Sequence, residues 1–464
     1  MNNLLMDIYN HLPIPLQNLA VSIEGYKIQR QRYGGTFKSY VEELQESQWY
    51  AKEKLEEIQL ERLKIMIKHA YSNVPYYREL FDRINLTPQG INTLDDLKKI
   101  PILEKQTLKE HMKDLIAKSI SKRDLISYTT GGTTGTPLTI YTTKNAIQYN
   151  FAFGEARCKF WAGVKSGDRL ATFLGRPVVP IDQKKPPFWR YNWAYNQLLF
   201  SAFHMNEDNL KYYLEELNKF QPKVIQGYVS TIHVLAKYIL DHKREVVPPK
   251  AILTSSETLF DWQRINIESA FGCKVYNGYS SAELVAFISE CEKGGLHISP
   301  EYGVVEFEKI DEAGEKYEII ATTLFNFAMP LIRYRIGDIV SLFEDEISCS
   351  CRRVLPLVKF IEGRVDSMLV TPEGYYISPA SLSLVFQSAR NIKEAQIVQI
   401  RRDRIIIRIV KDEDFSENDL EYIKKQLELR IGKNVLIEIE FVEEIKRTLA
   451  GKFRFIISEV SHEE

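Results

Sequence analysis

The chain has 464 residues, of which 44% are hydrophobic and 27% charged, a balance typical of a globular protein with room for more than one domain. Lys and Arg number 61 against 62 Asp and Glu, so the overall charge favours neither nucleic acid nor an anionic membrane as a partner. No basic segment precedes the apolar amino-terminal stretch and no apolar run nears the roughly 20 residues that span a bilayer, so we expect a cytoplasmic protein without a transmembrane segment.

The first part of the chain, about residues 1–120, predicts a helical lead-in. Apolar positions recur at helical spacing over residues 42–72, which predicts one long amphipathic helix that ends before Pro75. Residues 105–118 predict a further helix. We expect residues 1–40 to fold back on the body of the protein, although contact with a membrane or a partner protein stays open.

From residue 170 onward, short apolar strands alternate with helices. The predicted strands lie at 170–174, 224–228, 251–254 and 275–279, and the predicted helices at 210–220, 231–243 and 262–271. This alternation indicates a parallel, doubly wound sheet. Strands then dominate at 285–289, 303–309, 317–322 and 338–343, which predicts a smaller, mainly antiparallel unit packed on the first.

The pattern changes again after Arg364. Residues 365–464 predict a strand, a helix capped by Ser378 with Pro379 at its first position, two strands, a helix over about 416–431 and a final strand. The predicted fold class is therefore α/β. A large amino-terminal domain (residues 1–363) has doubly wound mixed sheets and a β-rich subdomain, and a small, mobile α+β domain covers residues 364–464.

A segment rich in glycine and threonine, YTTGGTTGTP over residues 128–137, follows a predicted strand. Glycines let the backbone approach a polyanion and point successive N–H groups at it, and threonine hydroxyls add donors. The segment is not the P-loop of NTPases, because no Gly-Lys-Ser/Thr follows. It predicts a phosphate-binding loop, with a flexible hairpin loop as the alternative.

This segment resembles the phosphate loop of the adenylate-forming superfamily, Ser/Thr-Ser-Gly-Thr-Thr-Gly-x-Pro. Gly131 replaces the second residue of that pattern, and Thr136 and Leu138 occupy the places beside Pro137 where many members carry a Lys. By resemblance, backbone and hydroxyl donors, Mg²⁺ and a distant Lys would hold the pyrophosphate.

Five further segments follow in the order of that family. The segments are Thr254-Ser-Ser-Glu257, Tyr279-Ser-Ser-Ala-Glu283, Arg333-Tyr-Arg-Ile-Gly-Asp338 and Glu362-Gly-Arg-Val-Asp366, and Arg447-Thr-Leu-Ala-Gly-Lys452 completes the series. Thr254–Glu257 follows a predicted strand, where α/β sheets present ligand-binding loops. By resemblance, Tyr279 packs on adenine, Glu283 helps to hold Mg²⁺ and Asp338 binds the ribose hydroxyls.

The last two segments carry the remaining roles that the resemblance implies. Asp366 would be the pivot about which the carboxyl-terminal domain rotates, and Lys452 would stabilise charge in the adenylation transition state. The residues expected to bind the nucleotide are Thr129, Thr130, Gly131, Gly132, Thr133, Thr134, Gly135, Thr136, Ser255, Ser256, Glu257, Asn277, Gly278, Tyr279, Ser280, Asp338 and Arg364. The residues expected to be catalytic are Lys452, Glu283 and Asp366.

Within the superfamily, the sequence resembles the phenylacetate–CoA ligase family, including its members in capsular polysaccharide biosynthesis. Gln226-Gly-Tyr228, the two serine-rich segments that end in Glu257 and Glu283, and Cys291-Glu-Lys-Gly-Gly-Leu-His297 carry this resemblance. It also places Tyr228 in the acid pocket and His204 where members gate that pocket. The alternative for His204 is a surface position before a helix cap.

Three cysteines and one histidine form a candidate zinc site. Cys291 and His297 lie six positions apart across a Gly-Gly turn, and Cys349-Ser-Cys351 follows a strand-rich stretch. Three thiolates and one imidazole form a closed tetrahedral set, typical of structural zinc, and members of the branch resemble this sequence in carrying such a set. The alternative is four unrelated buried residues. We interpret Cys158 and Cys273 as core residues.

The resemblance implies an AMP-forming acid–thiol ligase. ATP, with Mg²⁺, would convert a small-molecule carboxylic acid to an acyl-adenylate, and the acyl group would pass most readily to coenzyme A. A carrier-protein thiol or the amine of an amino sugar is an alternative acceptor, and a non-catalytic nucleotide-binding relative is a further alternative. The identity of the acid and the oligomeric state do not follow from the sequence.

Overall fold

The computed structural model describes residues 3–129, 138–175, 177–310, 316–364, 367–372, 376, 377, 379, 382, 385, 386, 391–432, 434–448 and 453–460. Its helices are α1 (Asn3–His11), α2 (Ile14–Tyr33), α3 (Phe37–Ser47), α4 (Lys52–Asn73), α5 (Pro75–Arg83), α6 (Lys105–Glu110), α7 (Lys144–Phe153), α8 (Glu207–Phe220), α9 (Val229–Asp241), α10 (Asp261–Phe271) and α11 (Glu417–Ile431). Among these helices, none combines the length and the apolar character that crossing a membrane requires.

Nine strands form the largest sheet. They are β3 (Leu170–Leu174), β4 (Trp189–Asn192), β5 (Gln197–Ser201), β6 (Val224–Gly227), β7 (Ala251–Ser255), β8 (Val275–Ser280), β9 (Phe287–Glu290), β10 (Leu296–Ile298) and β14 (Leu357–Val358), and their order across the sheet is β14-β10-β9-β8-β7-β6-β3-β5-β4. The five central strands run parallel, and the strands at both edges are antiparallel to their neighbours. Helices α8, α9 and α10 share a hydrophobic core with this sheet through Leu214, Leu235 and Ile267. This arrangement confirms the predicted mixed α/β class.

Four antiparallel strands form a second sheet, in the order β11-β12-β13-β15. They are β11 (Gly303–Lys309), β12 (Lys316–Thr323), β13 (Tyr334–Ser341) and β15 (Phe360–Arg364). The prediction for residues 285–289 was wrong in one respect: the strand there, β9, pairs with β8 and so belongs to the large sheet. A short hairpin, β1 (Ile126–Thr129) with β2 (Thr139–Thr142), flanks the segment rich in glycine and threonine.

The carboxyl-terminal part has a four-stranded sheet in the order β20-β19-β18-β21. The strands are β18 (Ile392–Arg401), β19 (Arg404–Lys411), β20 (Leu436–Phe441) and β21 (Ile456–Ser458), and β16 (Leu369–Val370) pairs with β17 (Tyr376–Ile377). The prediction of one final strand was wrong, because two strands follow α11, one on each edge of the sheet. Ile397, Ile407, Ile423 and Leu427 form a core of their own between this sheet and α11. The predicted cap Ser378 lies outside the described residues.

Two predicted helices differ from the observed ones. The helix expected over residues 42–72 is divided into α3 and α4, because the buried side chain of Gln48 accepts hydrogen bonds from Trp161 Nε1 (2.8 Å) and Arg353 Nε (2.9 Å) at a turn. The helix expected over residues 105–118 ends at Glu110. Beyond it, backbone groups bond other segments: the Ala117 N–H donates to the Ala328 carbonyl at 2.9 Å. Tertiary hydrogen bonds override helical periodicity at both places.

Candidate functional site

A cleft of about 1820 Å³ opens at the carboxyl ends of strands β7 and β8. The segments that follow these strands line one side, together with Asp338 on β13 and Arg364 at the end of β15. Residues 391–395 and 443–448 of the carboxyl-terminal part line the other side. Loops at the carboxyl ends of parallel strands are where open α/β sheets bind ligands, so the topology itself points to this cleft.

The ends of β7 and β8 bring two of the predicted segments together. Thr254 pairs with Asn277 and Ser255 with Gly278, so both segments leave the sheet side by side. Ser256 then adopts a left-handed backbone conformation, with φ of 70°. Such a conformation is unusual for a residue other than glycine and turns the chain sharply at the edge of the cleft. Ser255, Ser256, Asn277 and Ser280 all line the cleft.

Asp338 lies at the centre of a polar group. The hydroxyl of Tyr279 donates to Asp338 Oδ2 at 2.7 Å, and Arg364 Nε lies 3.4 Å from Asp338 Oδ1. Asp338 and Arg364 are direct partners across strands β13 and β15. Gly337 has φ of 81°, and a Cβ there would lie 3.3 Å from Arg364 Nη2, which explains why glycine precedes the aspartate. Burial and the Asp338 carboxylate hold the pKa of Tyr279 well above its usual value.

Glu283 is buried on the same side of the cleft, with 8% of its surface exposed. Burial raises the pKa of its carboxyl, the nearby Asp338 raises it further, and the cations Arg364 and Lys105 oppose the shift. A cation placed next to a buried carboxyl favours its ionised form. Glu283 is therefore in a suitable place to bind a metal that enters with a ligand.

The hairpin of β1 and β2 forms a hydrogen bond to the segment that contains Glu283. The hydroxyl of Tyr128 donates to the backbone carbonyl of Ala282, next to Glu283. The exposed Thr129 follows Tyr128 and ends β1, so the segment rich in glycine and threonine begins close to Glu283. Thr130, Gly131, Gly132, Thr133, Thr134, Gly135 and Thr136 lie outside the described residues.

Two predicted catalytic residues, Asp366 and Lys452, also lie outside the described residues. Described residues near each of them line the cleft. Arg364 and Ser367 on either side of the predicted pivot line it, as do Thr448 and Phe453 on either side of the lysine segment.

Glu257 lines the cleft and also forms hydrogen bonds within the protein. Its Oε1 accepts hydrogen bonds from the Phe453 N–H (3.0 Å) and the Ser230 hydroxyl (3.0 Å), and its Oε2 accepts one from the Ser230 N–H (2.8 Å). Ser230 lies in the first turn of α9, where free N–H groups attract a carboxylate. Burial raises the pKa of Glu257, and these hydrogen bonds oppose the shift.

His204 and Tyr228 are both buried, with 7% and 8% of their surfaces exposed. The surface position considered for His204 is therefore wrong: its Nδ1 lies 2.7 Å from the Ser201 hydroxyl, and its ring stacks on Phe188. Burial lowers the pKa of His204, which favours the neutral imidazole. Neither residue is among the described residues that line the cleft, whereas the neighbours Phe203 and Met205 of His204 do line it.

The four candidate zinc ligands lie together at one edge of the large sheet. The ligand atoms of Cys291, His297, Cys349 and Cys351 all lie within 4.8 Å of one another. Cys291 Sγ is 3.6 Å from Cys349 Sγ, and Cys351 Sγ is 3.3 Å from His297 Nε2. Tetrahedral zinc with its usual bond lengths separates two sulfurs by roughly 3.7 Å, and a sulfur and a nitrogen by roughly 3.5 Å. The residues present therefore fit a zinc ion.

The second nitrogen of the histidine supports the same interpretation. His297 Nδ1 lies 3.0 Å from the backbone carbonyl of Leu355, which orients Nε2 toward the sulfurs. A metal-bound histidine usually donates its other N–H in this way. The alternative of four unrelated buried residues does not account for this arrangement.

Lys105 and Tyr128, which lie close to the Ala282–Glu283 segment, were not among the predicted site residues. Lys105 begins α6, lines the cleft and acts electrostatically on Glu283. In the sequence, Tyr128 is only the first residue of the predicted phosphate-binding loop. Both contacts join parts of the chain more than 150 positions apart, so no local pattern signals them.

Comparisons with known proteins agree with this geometry. A family profile described as the CapK C-terminal domain matches residues 369–459. The chain is 36% identical to the protein CapK of Staphylococcus aureus over 456 residues, which cover 98% of this chain and 99% of that one. It is 27% identical over 383 residues to a phenylacetate-coenzyme A ligase of Thermus thermophilus, covering 76% of this chain and 79% of that one.

A solved structure has the same fold. The crystal structure of 2-hydroxyisobutyryl-CoA ligase in the postadenylation state superimposes with a TM-score of 0.68 at 20% identity, covering 89% of this chain and 91% of that one. At this level of identity the likeness shows the fold alone.

Proposed function

The chain belongs to the CapK branch of the phenylacetate–CoA ligase family, within the adenylate-forming superfamily, and on this basis we propose that it is an AMP-forming ligase of a carboxylic acid. The observation that carries the proposal is the group formed by four residues beside the carboxyl ends of strands β7 and β8, which are Tyr279, Asp338, Arg364 and Glu283. These residues come from three separate motifs of the family, and the fold brings them to one side of one cleft.

In the proposed first step, an oxygen of the substrate carboxylate attacks the α-phosphorus of ATP. A new P–O bond forms to the acyl group, and the bond between the α-phosphorus and the bridging oxygen breaks to release pyrophosphate. The attacking carboxylate is already ionised at neutral pH, so no side chain has to act as general base. Catalysis then consists of positioning and of stabilising the charge that develops on phosphate oxygens.

The residue roles proposed for this step follow the motifs. Residues 129–136 would bind the phosphates, Asp338 the ribose hydroxyls and Tyr279 the adenine face. Glu283 would hold Mg²⁺, which supplies positive charge to the phosphate oxygens. Lys452 would stabilise the transition state. Arg364, next to Asp338, would fix the carboxylate in place for the ribose.

The proposed acceptor of the acyl group is coenzyme A. The support is the relationship to proteins named phenylacetate-coenzyme A ligase, of which one from Escherichia coli is 26% identical over 343 residues. The same half-reaction would serve another thiol or an amine, so the acceptor is tested separately from adenylation. We also propose that residues 364–464 form a domain that moves relative to residues 1–363.

We propose structural zinc for the cysteine–histidine cluster. Four protein ligands leave no open position for a substrate, so the ion would stabilise the fold rather than take part in the reaction. Cys291 follows β9, His297 lies on β10, and Leu357 of β14 pairs directly with His297. Zinc would therefore tie together the three strands at this edge of the large sheet.

The experiment for the proposed function is a screen of carboxylic acids for pyrophosphate release, with and without coenzyme A. Release that depends on the acid, with AMP as the other product, is the expected result. The variant Lys452→Ala should lose at least about 100-fold in adenylation rate because it removes a charge from the transition state, whereas Lys424→Ala, at an exposed position of helix α11 that is not among the described residues lining the cleft, serves as the control. ADP and phosphate as products would refute the proposal.

A further inference from the structure

Glu257 joins three segments of the chain that are distant in sequence. It follows strand β7, its two oxygens accept hydrogen bonds from the first turn of α9 at Ser230, and Oε1 also accepts one from the Phe453 backbone. Phe453 directly follows Lys452 in the sequence. The carboxylate therefore bonds the backbone immediately next to the lysine of the last motif.

The segment around Phe453 is fixed to the carboxyl-terminal sheet on its other side. Gln396 Nε2 donates to the Arg454 carbonyl at 2.7 Å, and the Ile397 N–H donates to the Phe455 carbonyl at 2.9 Å. Phe455 also packs its ring edge-on against Phe260 at 5.9 Å. Residues 453–455 thus lie between the two sheets, held by β18 on one side and by the loop after β7 on the other.

The same loop contacts the segment that leads to the predicted pivot. The Thr258 hydroxyl donates to the Glu362 carbonyl at 3.2 Å. Gly363 has φ of 109°, and a Cβ there would lie 2.9 Å from Thr258 Oγ1, so the two segments are in close contact. Residues 255–258 therefore touch both the approach to Asp366 and the segment of Lys452.

We propose that Glu257 is a positioning residue that holds the Lys452 segment against the large sheet during adenylation. This role rests on the proposed function, and it is separate from the nucleotide contact expected for Glu257, which stays a prediction. The Phe453 N–H donates a charge-assisted hydrogen bond to the Glu257 carboxylate. This hydrogen bond would have to break before the carboxyl-terminal domain rotates. Glu257 would thus favour the arrangement in which Lys452 faces the α-phosphate.

The sharpest test removes the donor and leaves Glu257 unchanged. Phe453→Pro has no backbone N–H, whereas Phe453→Ala keeps the N–H and loses the ring, which packs on Arg447 at 4.6 Å. Proline should lower kcat for pyrophosphate release about 10- to 100-fold relative to alanine, because a small misplacement of a catalytic group has a cost of that size. The KM for ATP should stay within about threefold, since ground-state nucleotide binding is untouched. Equal kcat values for the two variants would overturn the proposal.

A second measurement does not depend on activity. In hydrogen–deuterium exchange, Glu257→Ala should speed exchange in the peptide that contains Phe453 by about tenfold or more, while helix α11 exchanges as in the wild type. Unchanged exchange at Phe453 would overturn the proposed contact. If the exchange result holds but the wild type forms no acyl-adenylate, the docking role stands and the proposed function fails. A rise in the ATP KM alone for Glu257→Ala would support the nucleotide-binding role and overturn the positioning one.

Discussion

Asp338 is a single carboxylate with two different neighbours. Tyr279 donates to one oxygen at 2.7 Å, and Arg364 lies 3.4 Å from the other. Both oxygens are thus oriented before any ligand arrives. A preorganised acceptor of this kind is suited to two neighbouring hydroxyls, because little has to reorganise on binding.

This geometry gives a prediction for Tyr279. Tyr279→Phe removes the hydroxyl and keeps the ring, so the KM for ATP should rise about three- to tenfold, the size expected for one lost hydrogen bond. Asp338→Ala should reduce adenylation far more, by about 100-fold or more, because it removes the proposed ribose ligand. Tyr276→Phe is the matched control on the same strand, since Tyr276 is not among the described residues that line the cleft. Similar effects of the Tyr276 and Tyr279 changes would contradict this account.

The buried Glu283 predicts a dependence on pH. Its pKa is raised, chiefly by burial, so lowering the pH protonates it earlier than an ordinary glutamate. A protonated carboxyl binds Mg²⁺ poorly, and kcat/KM for ATP should therefore fall on the acid side with an apparent pKa above the usual Glu range. Glu283→Gln should abolish this acid limb together with most of the activity. If kcat/KM of Glu283→Gln still falls at low pH, a group other than Glu283 causes that fall.

The same shift has a consequence for stability. A carboxyl whose folded pKa is raised destabilises the fold as pH rises from its unfolded pKa through its folded pKa, because ionisation is easier in the unfolded chain. Glu283→Gln cannot ionise, so it should be more stable than the wild type in urea at about pH 8, with the difference shrinking toward about pH 4. If the variant and the wild type were equally stable at both pH values, burying the ionised Glu283 would not destabilise the fold. Phosphate-free buffers are needed so that anions do not bind the cleft.

At the scale of elements, helix α3 is fixed to the body of the protein by a buried ion pair. Arg157 Nη2 donates to Glu301 Oε1 at 2.8 Å, and the Ser47 hydroxyl at the end of α3 donates to the same oxygen at 2.6 Å. Both charged side chains have at most 2% of their surface exposed. Such a pair stabilises little by itself, but loss of one partner leaves the other charge buried and unpaired.

We therefore predict that Glu301→Gln lowers the free energy of unfolding by about 3–5 kcal/mol, because Arg157 loses its counter-charge. Glu24→Gln is the control, since it removes an equal charge from an exposed ion pair with Lys27, worth less than about 1 kcal/mol. Chemical denaturation of both variants measures the difference. A change as small in Glu301→Gln as in Glu24→Gln would show that water reaches Arg157.

The zinc cluster gives a second prediction at this scale. Protein purified without chelators should contain about one zinc ion per chain, and less than about half an equivalent would count against a structural site. Cys351→Ser should lose the metal and lower Tm by several degrees, because the strands at this sheet edge lose their cross-link. Cys273→Ser, a cysteine outside the cluster, should keep both the metal and the Tm.

The elements differ in how far the sequence predicts them. The parallel strands β3, β6, β7 and β8 were predicted nearly to their ends, because buried strands produce uninterrupted apolar runs between helices. Strands β4 and β5, which pair antiparallel with each other, escaped prediction, since aromatic and polar residues mix along both. The division of α3 from α4 depends on Gln48 contacts with Trp161 and Arg353, more than 100 positions away, which no local periodicity contains.

The candidate site shows the same division between local and distant information. Short motifs indicated Asp338 and Glu283, and the spacing of cysteine and histidine indicated the candidate zinc ligands, which the structure brings together. Lys105 approaches Glu283 from a helix that no motif includes. The hydrogen bond from the Phe453 N–H to Glu257 depends on how the large sheet and the carboxyl-terminal sheet pack together. The sequence of neither segment predicts that packing.

At the scale of the whole molecule, the cleft lies between two groups of elements with separate cores. The large sheet presents Glu283 and the second sheet presents Asp338 on β13, while the carboxyl-terminal sheet presents the segment next to Lys452. Among the described residues, the contacts across the cleft include the ion pair of Lys393 Nζ with Glu207 at 3.2 Å, the hydrogen bond from Phe453 to Glu257 and the ring contact of Phe455 with Phe260. An exposed ion pair such as Lys393 with Glu207 stabilises little, which is compatible with the proposed movement of residues 364–464.

The central claim is that ATP activates a carboxylic acid in this cleft by loss of pyrophosphate. The most direct measurement incubates the protein with an acid labelled with ¹⁸O in its carboxylate and then analyses the AMP after transfer of the acyl group. The account predicts one ¹⁸O atom in the AMP phosphate, because the carboxylate oxygen that attacks the α-phosphorus stays with the phosphate when the acyl group leaves. Turnover of ATP that yields AMP without ¹⁸O, or that yields ADP, would contradict it.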